Sequence, residues 1–179
     1  MADGVLTARM ARLLSAWLEE HPFKVLCVCG HRGNETPLPE NLGHIVSWFG
    51  PEYNRDSRLA LLDIAVISDT KALALVEIEE SSDEPKTLIG DVFATLLGDH
   101  ITYRGEELEV GAFTTLIVLG RNKQGQSDSA ALLEQHGNLL LSTLRSGNAS
   151  IGRVVVDTFR DEGELESKLK ELIERALPR

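Results

Sequence analysis

The sequence predicts an α/β fold with a mixed central sheet and flanking helices, on three observations. Apolar residues recur at helical spacing in four segments, and five short, continuous apolar runs of strand length lie between them. In the second half strand and helix alternate, which calls for crossover connections and parallel strands. With 179 residues and 42% apolar content the chain can bury one sizeable core but is short for two, so a single domain over residues 1–179 is expected.

The elements follow in order. Residues 5–20 set Leu6, Met10, Leu13, Leu14 and Trp17 on one helical stripe, with Arg9, Arg12, Glu19 and Glu20 largely outside it. His21 and Pro22 close that helix, and residues 24–29 read as a short buried strand. A Gly- and Pro-containing stretch, about 30–58, reads as an insertion with a helical turn near 42–49. Residues 59–67 and 72–79 are strand-like runs separated by turn-forming residues, which makes a central hairpin. Pro85 suits the first position of a helix with the stripe Leu88, Ile89, Val92, Phe93, Leu96 and Leu97. A strand over 113–119 completes a core spanning 5–119. A helix over 127–145, a strand over 150–157 and a helix over 161–177 form an extension over about 120–179.

Charge is concentrated rather than spread. Residues 59–109 hold twelve acidic and three basic side chains, so nine of the ten excess negative charges fall there. Such a field repels polyanions unless cations neutralise it first. There is no basic stripe with interleaved aromatics, so unaided, tight, nonspecific DNA binding is not expected. No run reaches the roughly 18 apolar residues of a membrane span, and the start lacks a signal peptide's apolar segment, so a cytoplasmic protein without membrane contact is expected. Cys27 and Cys29, one residue apart on a strand, are expected to remain free thiols.

The hairpin carries the chemistry. Alternation along the second strand puts Leu73, Leu75, Glu77 and Glu79 on one face, opposite Ala74, Val76 and Ile78. A three-residue loop over 69–71 makes cross-strand partners add to 140 and sets Asp63 opposite Glu77. A two-residue loop puts Asp63 on the other face. In the first case three carboxylates crowd within an apolar sheet and raise one another's pKa unless protons or a cation intervene, and Mg²⁺ or Mn²⁺ is the economical resolution.

The order helix, strand, hairpin, helix, strand over 5–119, with Asp63 in LALLDIAVI and Glu77 in ALALVEIEES, resembles the PD-(D/E)xK nuclease superfamily. The resemblance implies a restriction-endonuclease-like αβββαβ core, a metal-dependent nuclease activity on DNA, and Asp63 and Glu77 as metal ligands. Leu62 stands where that motif has Pro, and Glu79 where it has the Lys that activates water. Some members carry Glu in the Lys slot, and others move the lysine to the following helix, which makes Glu79 and Lys86 the two candidates for the catalytic role. For so acidic a chain a nuclease role implies help from bound metal, a protein partner or a homodimer, and the alternative is a degenerate member of the same fold with a binding or regulatory role towards a protein partner.

The remaining candidates have plainer explanations beside the functional one. Arg32, Arg55 and Arg58 flank the insertion and could contact phosphates, or serve solubility alone. Glu80, Asp83 and Glu84 read as loop and helix-start charges, and Glu19 or Glu20 as a helix end rather than the extra acid some nucleases take from the first helix. Cys27, Cys29 and His31 lack an evident fourth zinc ligand, and Gly30 with Gly33 reads as a turn.

Overall fold

A computed structural model describes residues 5–27, 44–50, 52–80, 85–122, 128–144 and 151–178. It is an α/β structure with a mixed central sheet between helices. Its elements are α1 (Val5–Trp17), β1 (Lys24–Cys27), β2 (Ile45–Trp48), β3 (Arg58–Leu62), β4 (Ile64–Ser68), β5 (Lys71–Glu79), α2 (Pro85–Leu96), β6 (His100–Tyr103), β7 (Glu106–Leu108), β8 (Thr115–Arg121), α3 (Asp128–Leu144), β9 (Arg153–Phe159) and α4 (Glu162–Ala176).

The central sheet has the order β1-β4-β5-β8-β9. Its first three strands are antiparallel neighbours, and β5, β8 and β9 are parallel. The parallel part follows from the alternation of strand and helix after Pro85, because a parallel neighbour needs a crossover. One face is covered by α1 and α4, whose Met10, Leu14, Leu165 and Leu169 pack on Ile64, Val66, Ala74 and Val76. The other face lies against α2 and α3 and shares its core, through Leu62, Ile45 and Ile101, with a second sheet ordered β3-β2-β6-β7.

Three expectations are corrected. The stretch 45–48, expected within a helical turn, is strand β2, because its apolar residues pair with both β3 and β6. Residues 98–112, to which no element was assigned, include the hairpin β6–β7, closed by Arg104 and Gly105 with φ of 53° and 83°. Two consecutive positive φ values make a tight turn whose twist suits a two-residue hairpin, and glycine takes one of them without strain. The run 59–67, read as one strand, is two: it breaks at Asp63, with β3 in the second sheet and β4 in the central one.

Two smaller points bear on the site. Cys27 is disulfide-bonded and not the free thiol expected, and Cys29 lies outside the described residues. No helix among the described residues is long and apolar enough to cross a membrane.

Candidate functional site: a buried carboxylate pair at a strand break

The geometry starts at the hairpin turn. Asp69 and Thr70 form a two-residue loop, with Asp69 at φ 54°, a conformation that Asp tolerates better than most residues. Ser68 pairs with Lys71 and Ile67 with Ala72, so partner numbers add to 139. A bulge then leaves Leu73 without a partner, Val66 pairs with Ala74 and Ile64 with Val76, and the sum becomes 140. One extra residue exchanges the faces of everything beyond it. The register that sets Asp63 opposite Glu77 is thus reached by a two-residue turn and a bulge, not by a three-residue loop.

Parity fixes the faces. Ala65 and Ile67 on one strand and Leu75 on the other point to the α2 side, so Asp63, Glu77 and Glu79 share that side, while Val76 and Ile78 face α1 and α4. The break at Asp63 tightens the pair. Asp63 Oδ2 accepts the Ile78 N–H at 2.8 Å, and the Glu77 carboxyl accepts the backbone N–H of Asp63, so each acid satisfies an amide near the other. Glu77 is 9% exposed. Asp63 keeps some exposure as a residue, but its carboxyl is enclosed.

A fourth acid comes from α2. Burial raises Asp91 to a pKa of about 6, with Glu79 adding repulsion. Burial pushes Asp63 to about 7 against the lowering effect of the Ile78 amide, and Glu80, Asp91 and Glu79 push the same way. Glu77 is held well above the usual carboxylate range by burial and by Asp63 and Asp91. No Lys or Arg side chain is among the groups that set these shifts. Sequence reasoning missed Asp91. Its signal was a charge three residues after Leu88 and next to Val92, on the inward stripe of α2.

The other predicted site residues are spread out. Lys86 is exposed on α2, five positions before Asp91 and therefore about 140° round the helix from it. Arg55 is exposed in the turn before β3 and Arg58 at the start of that strand, five residues from Asp63. Arg32, Cys29, His31, Gly30, Gly33, Asp83 and Glu84 lie outside the described residues. Glu80 is not a loose loop charge: its Oε1 accepts the Thr7 N–H at 2.9 Å and the Thr7 hydroxyl at 3.1 Å, in the first turn of α1. Glu19 and Glu20 are exposed just past the other end of α1, towards the hairpin turn and away from Asp63.

Around the pair, Cys27 of β1 lies opposite Ile64 and Ile45 of β2 opposite Leu62, on either side of Asp63 in the chain. A cavity of about 270 Å³ lies between the end of α2 and the β6–β7 hairpin, and another of about 210 Å³ lies between α1 and the start of α4; none of the four carboxylates lines either. Among the described residues no group of three or more His, Cys, Asp or Glu side chains is arranged to hold a metal ion. Comparison with family models, curated proteins and solved structures finds no match to this chain.

Proposed function

We propose that the chain is a metal-dependent phosphodiesterase acting on DNA, of the PD-(D/E)xK type, with Asp63 and Glu77 as its metal-holding pair. The observation that carries this reading is the pair itself: two enclosed carboxyls on one side of the sheet, at the point where a strand changes sheets, with other acids as their charged neighbours. Buried acids so placed must hold protons or a cation. A pair of oxygen donors suits Mg²⁺ or Mn²⁺, which keeps several waters and needs only one or two carboxylates. What the pair would hold is a hydrated ion on two carboxylates, not an ion in a protein cage. When bound, such an ion would stabilise charge on the phosphate and acidify a water.

The chain's own residues then divide the work. Asp63 and Glu77 hold the ion. Glu79, two residues along on the same face and partly exposed, takes the proton of the attacking water; Lys86 is the other candidate for that role. Arg55 and Arg58, exposed and without an ion pair among the described residues, meet backbone phosphates. The order α1, β1, β4, β5, α2, β8 with neighbours β1-β4-β5-β8 supports the αβββαβ core this reading needs.

The test is Mn²⁺ titration followed by thermal denaturation, together with cleavage assays on duplex, single-stranded and branched DNA. Binding to the native state alone raises the melting temperature. Cleavage is expected only with Mg²⁺ or Mn²⁺ and is lost in Asp63→Ala and Glu77→Ala. A second reading, a degenerate module of the same fold that binds a protein partner, is favoured by Glu79 in the Lys slot and by the outward position of Lys86. A folded, metal-bound protein that cuts none of these substrates would establish that reading instead.

A further inference from the structure

Among the described residues β9 is the last strand of the central sheet, so one side of it has no strand to bond to. A strand in that position presents a row of N–H and C=O groups on which another chain can add. Here side chains meet the row. Asn138 of α3 accepts the Val154 N–H on Oδ1 at 3.0 Å and donates from Nδ2 to the Val154 carbonyl at 2.8 Å, so one side-chain amide copies the peptide group of a neighbouring strand. Asn138 Nδ2 also donates to the Glu134 carbonyl at 2.8 Å, which fixes the amide on its own helix. Two residues along β9, Glu134 Oε2 accepts the Val156 N–H at a longer 3.4 Å. Two further, the Thr158 N–H bonds to Asp157 Oδ1 at 2.7 Å and the Thr158 carbonyl takes Lys168 Nζ of α4 at 2.6 Å. Strand residues two apart point their peptide groups the same way, so Val154, Val156 and Thr158 make up the outer edge.

Gly137 shows that α3 is fitted to this edge. A Cβ there would lie 3.1 Å from Val154 Cγ1 and 3.4 Å from Val154 Cβ, so the missing side chain lets α3 approach β9 at the residue that Asn138 bonds. Glycine weakens a helix interior, and the close approach accounts for its presence in this one.

We propose that Asn138 is a gate on this edge: it keeps the central sheet from adding a strand, and the strand it excludes is β9 of a second copy. A two-fold axis makes one edge complementary to itself, and two copies of β9 can pair antiparallel across it. With the axis at Val155, Val154 faces the partner's Val156, so their outward N–H and C=O groups exchange bonds, and Arg153 stands opposite the partner's Asp157. The charge match occurs twice. Arg153 is exposed and makes no ion pair among the described residues, and Asp157 is 41% exposed beside Lys168. Moving the axis by one residue keeps outward groups paired but sets Arg153 opposite the partner's Val155 or Phe159, so charge selects the first register.

The test is analytical ultracentrifugation of the full chain over a concentration series, with amide hydrogen exchange read at Val154 and Val156. The wild type is expected to exchange these amides at rates independent of concentration. Asn138→Ala removes both bonds to Val154, and Gly137→Leu pushes α3 off the strand; each is expected to dimerise, with both amides protected in the dimer. Arg153→Asp added to Asn138→Ala is expected to weaken that dimer by about tenfold, because it sets two acids opposite each other twice. An Asn138→Ala protein that is monomeric at its highest soluble concentration overturns the proposal. A dimer that leaves the two amides unprotected, or that Arg153→Asp does not weaken, overturns it as well, as does a wild type whose Val154 amide gains protection with concentration. Circular dichroism checks folding, and if Asn138→Ala does not fold, Gly137→Leu decides by the same readings.

Discussion

Replacing Asp63 with asparagine should make the protein more stable at pH 8 and leave it unchanged at pH 4. In the unfolded chain an aspartate has lost its proton above pH about 4, whereas the folded protein keeps one on Asp63 up to about 7. Between those values the native state binds more protons at Asp63 than the unfolded state, so this residue's contribution to stability falls as pH rises from about 4 to about 7 and is level above. A pKa difference of about 3 corresponds to about 4 kcal/mol. That is an upper limit, since Asp63 and Glu77 lie side by side and titrate as a coupled pair. For a chain of this length each kcal/mol moves the melting temperature by about 2–4 °C, which sets a ceiling of about 8–16 °C. Asparagine keeps an oxygen to accept the Ile78 N–H and cannot ionise. Melting curves from pH 4 to 8, with the metal chelated, should therefore show a declining wild type and a flatter Asp63→Asn, whose residual slope comes from Glu77, still raised by burial, and from Asp91. Added Mn²⁺ should restore the wild type at pH 8 and do little for the variant. Parallel pH profiles for the two proteins, or a variant less stable at pH 8, would refute the argument that burial and repulsion dominate at this pair.

Three further substitutions separate roles that lie close together. Glu79→Ala and Lys86→Ala distinguish the candidates for water activation: loss of the base should reduce cleavage by about 10² to 10⁴, while the uninvolved position changes it little, as single-turnover rates would show. Glu80→Ala removes the acceptor of the Thr7 amide and hydroxyl in the first turn of α1, and should cost about 1 kcal/mol in denaturant unfolding.

Much of the fold was legible because it rests on local pattern. The four helices, the central hairpin and the parallel extension follow from periodicity and from turn and cap residues, such as Asp161, which accepts the Glu164 N–H at the start of α4. The acids at positions 63, 77 and 79 were visible as charges within strand-like apolar runs. The strands of 45–48 and 100–108 were not, because short strands with mixed exposure have no period of their own and exist through their partners.

What only the tertiary structure decided is how the acids meet. The turn chemistry of 68–71 is compatible with either register, and the choice depends on a bulge at Leu73 that lets Ala72 pack towards α2 and Ala74 towards α1. Asp63 faces Glu77 because the strand carrying it divides between two sheets at that residue, which is a fact of long-range pairing. Asp91 joins them because α2 turns Leu88, Val92 and Leu96 inward and leaves Ile89, Phe93 and Leu97 outside. Sequence alone could not choose between two adjacent apolar stripes on one helix. Apolar periodicity records which residues avoid water, and only packing shows whether the surface that covers them belongs to the same chain.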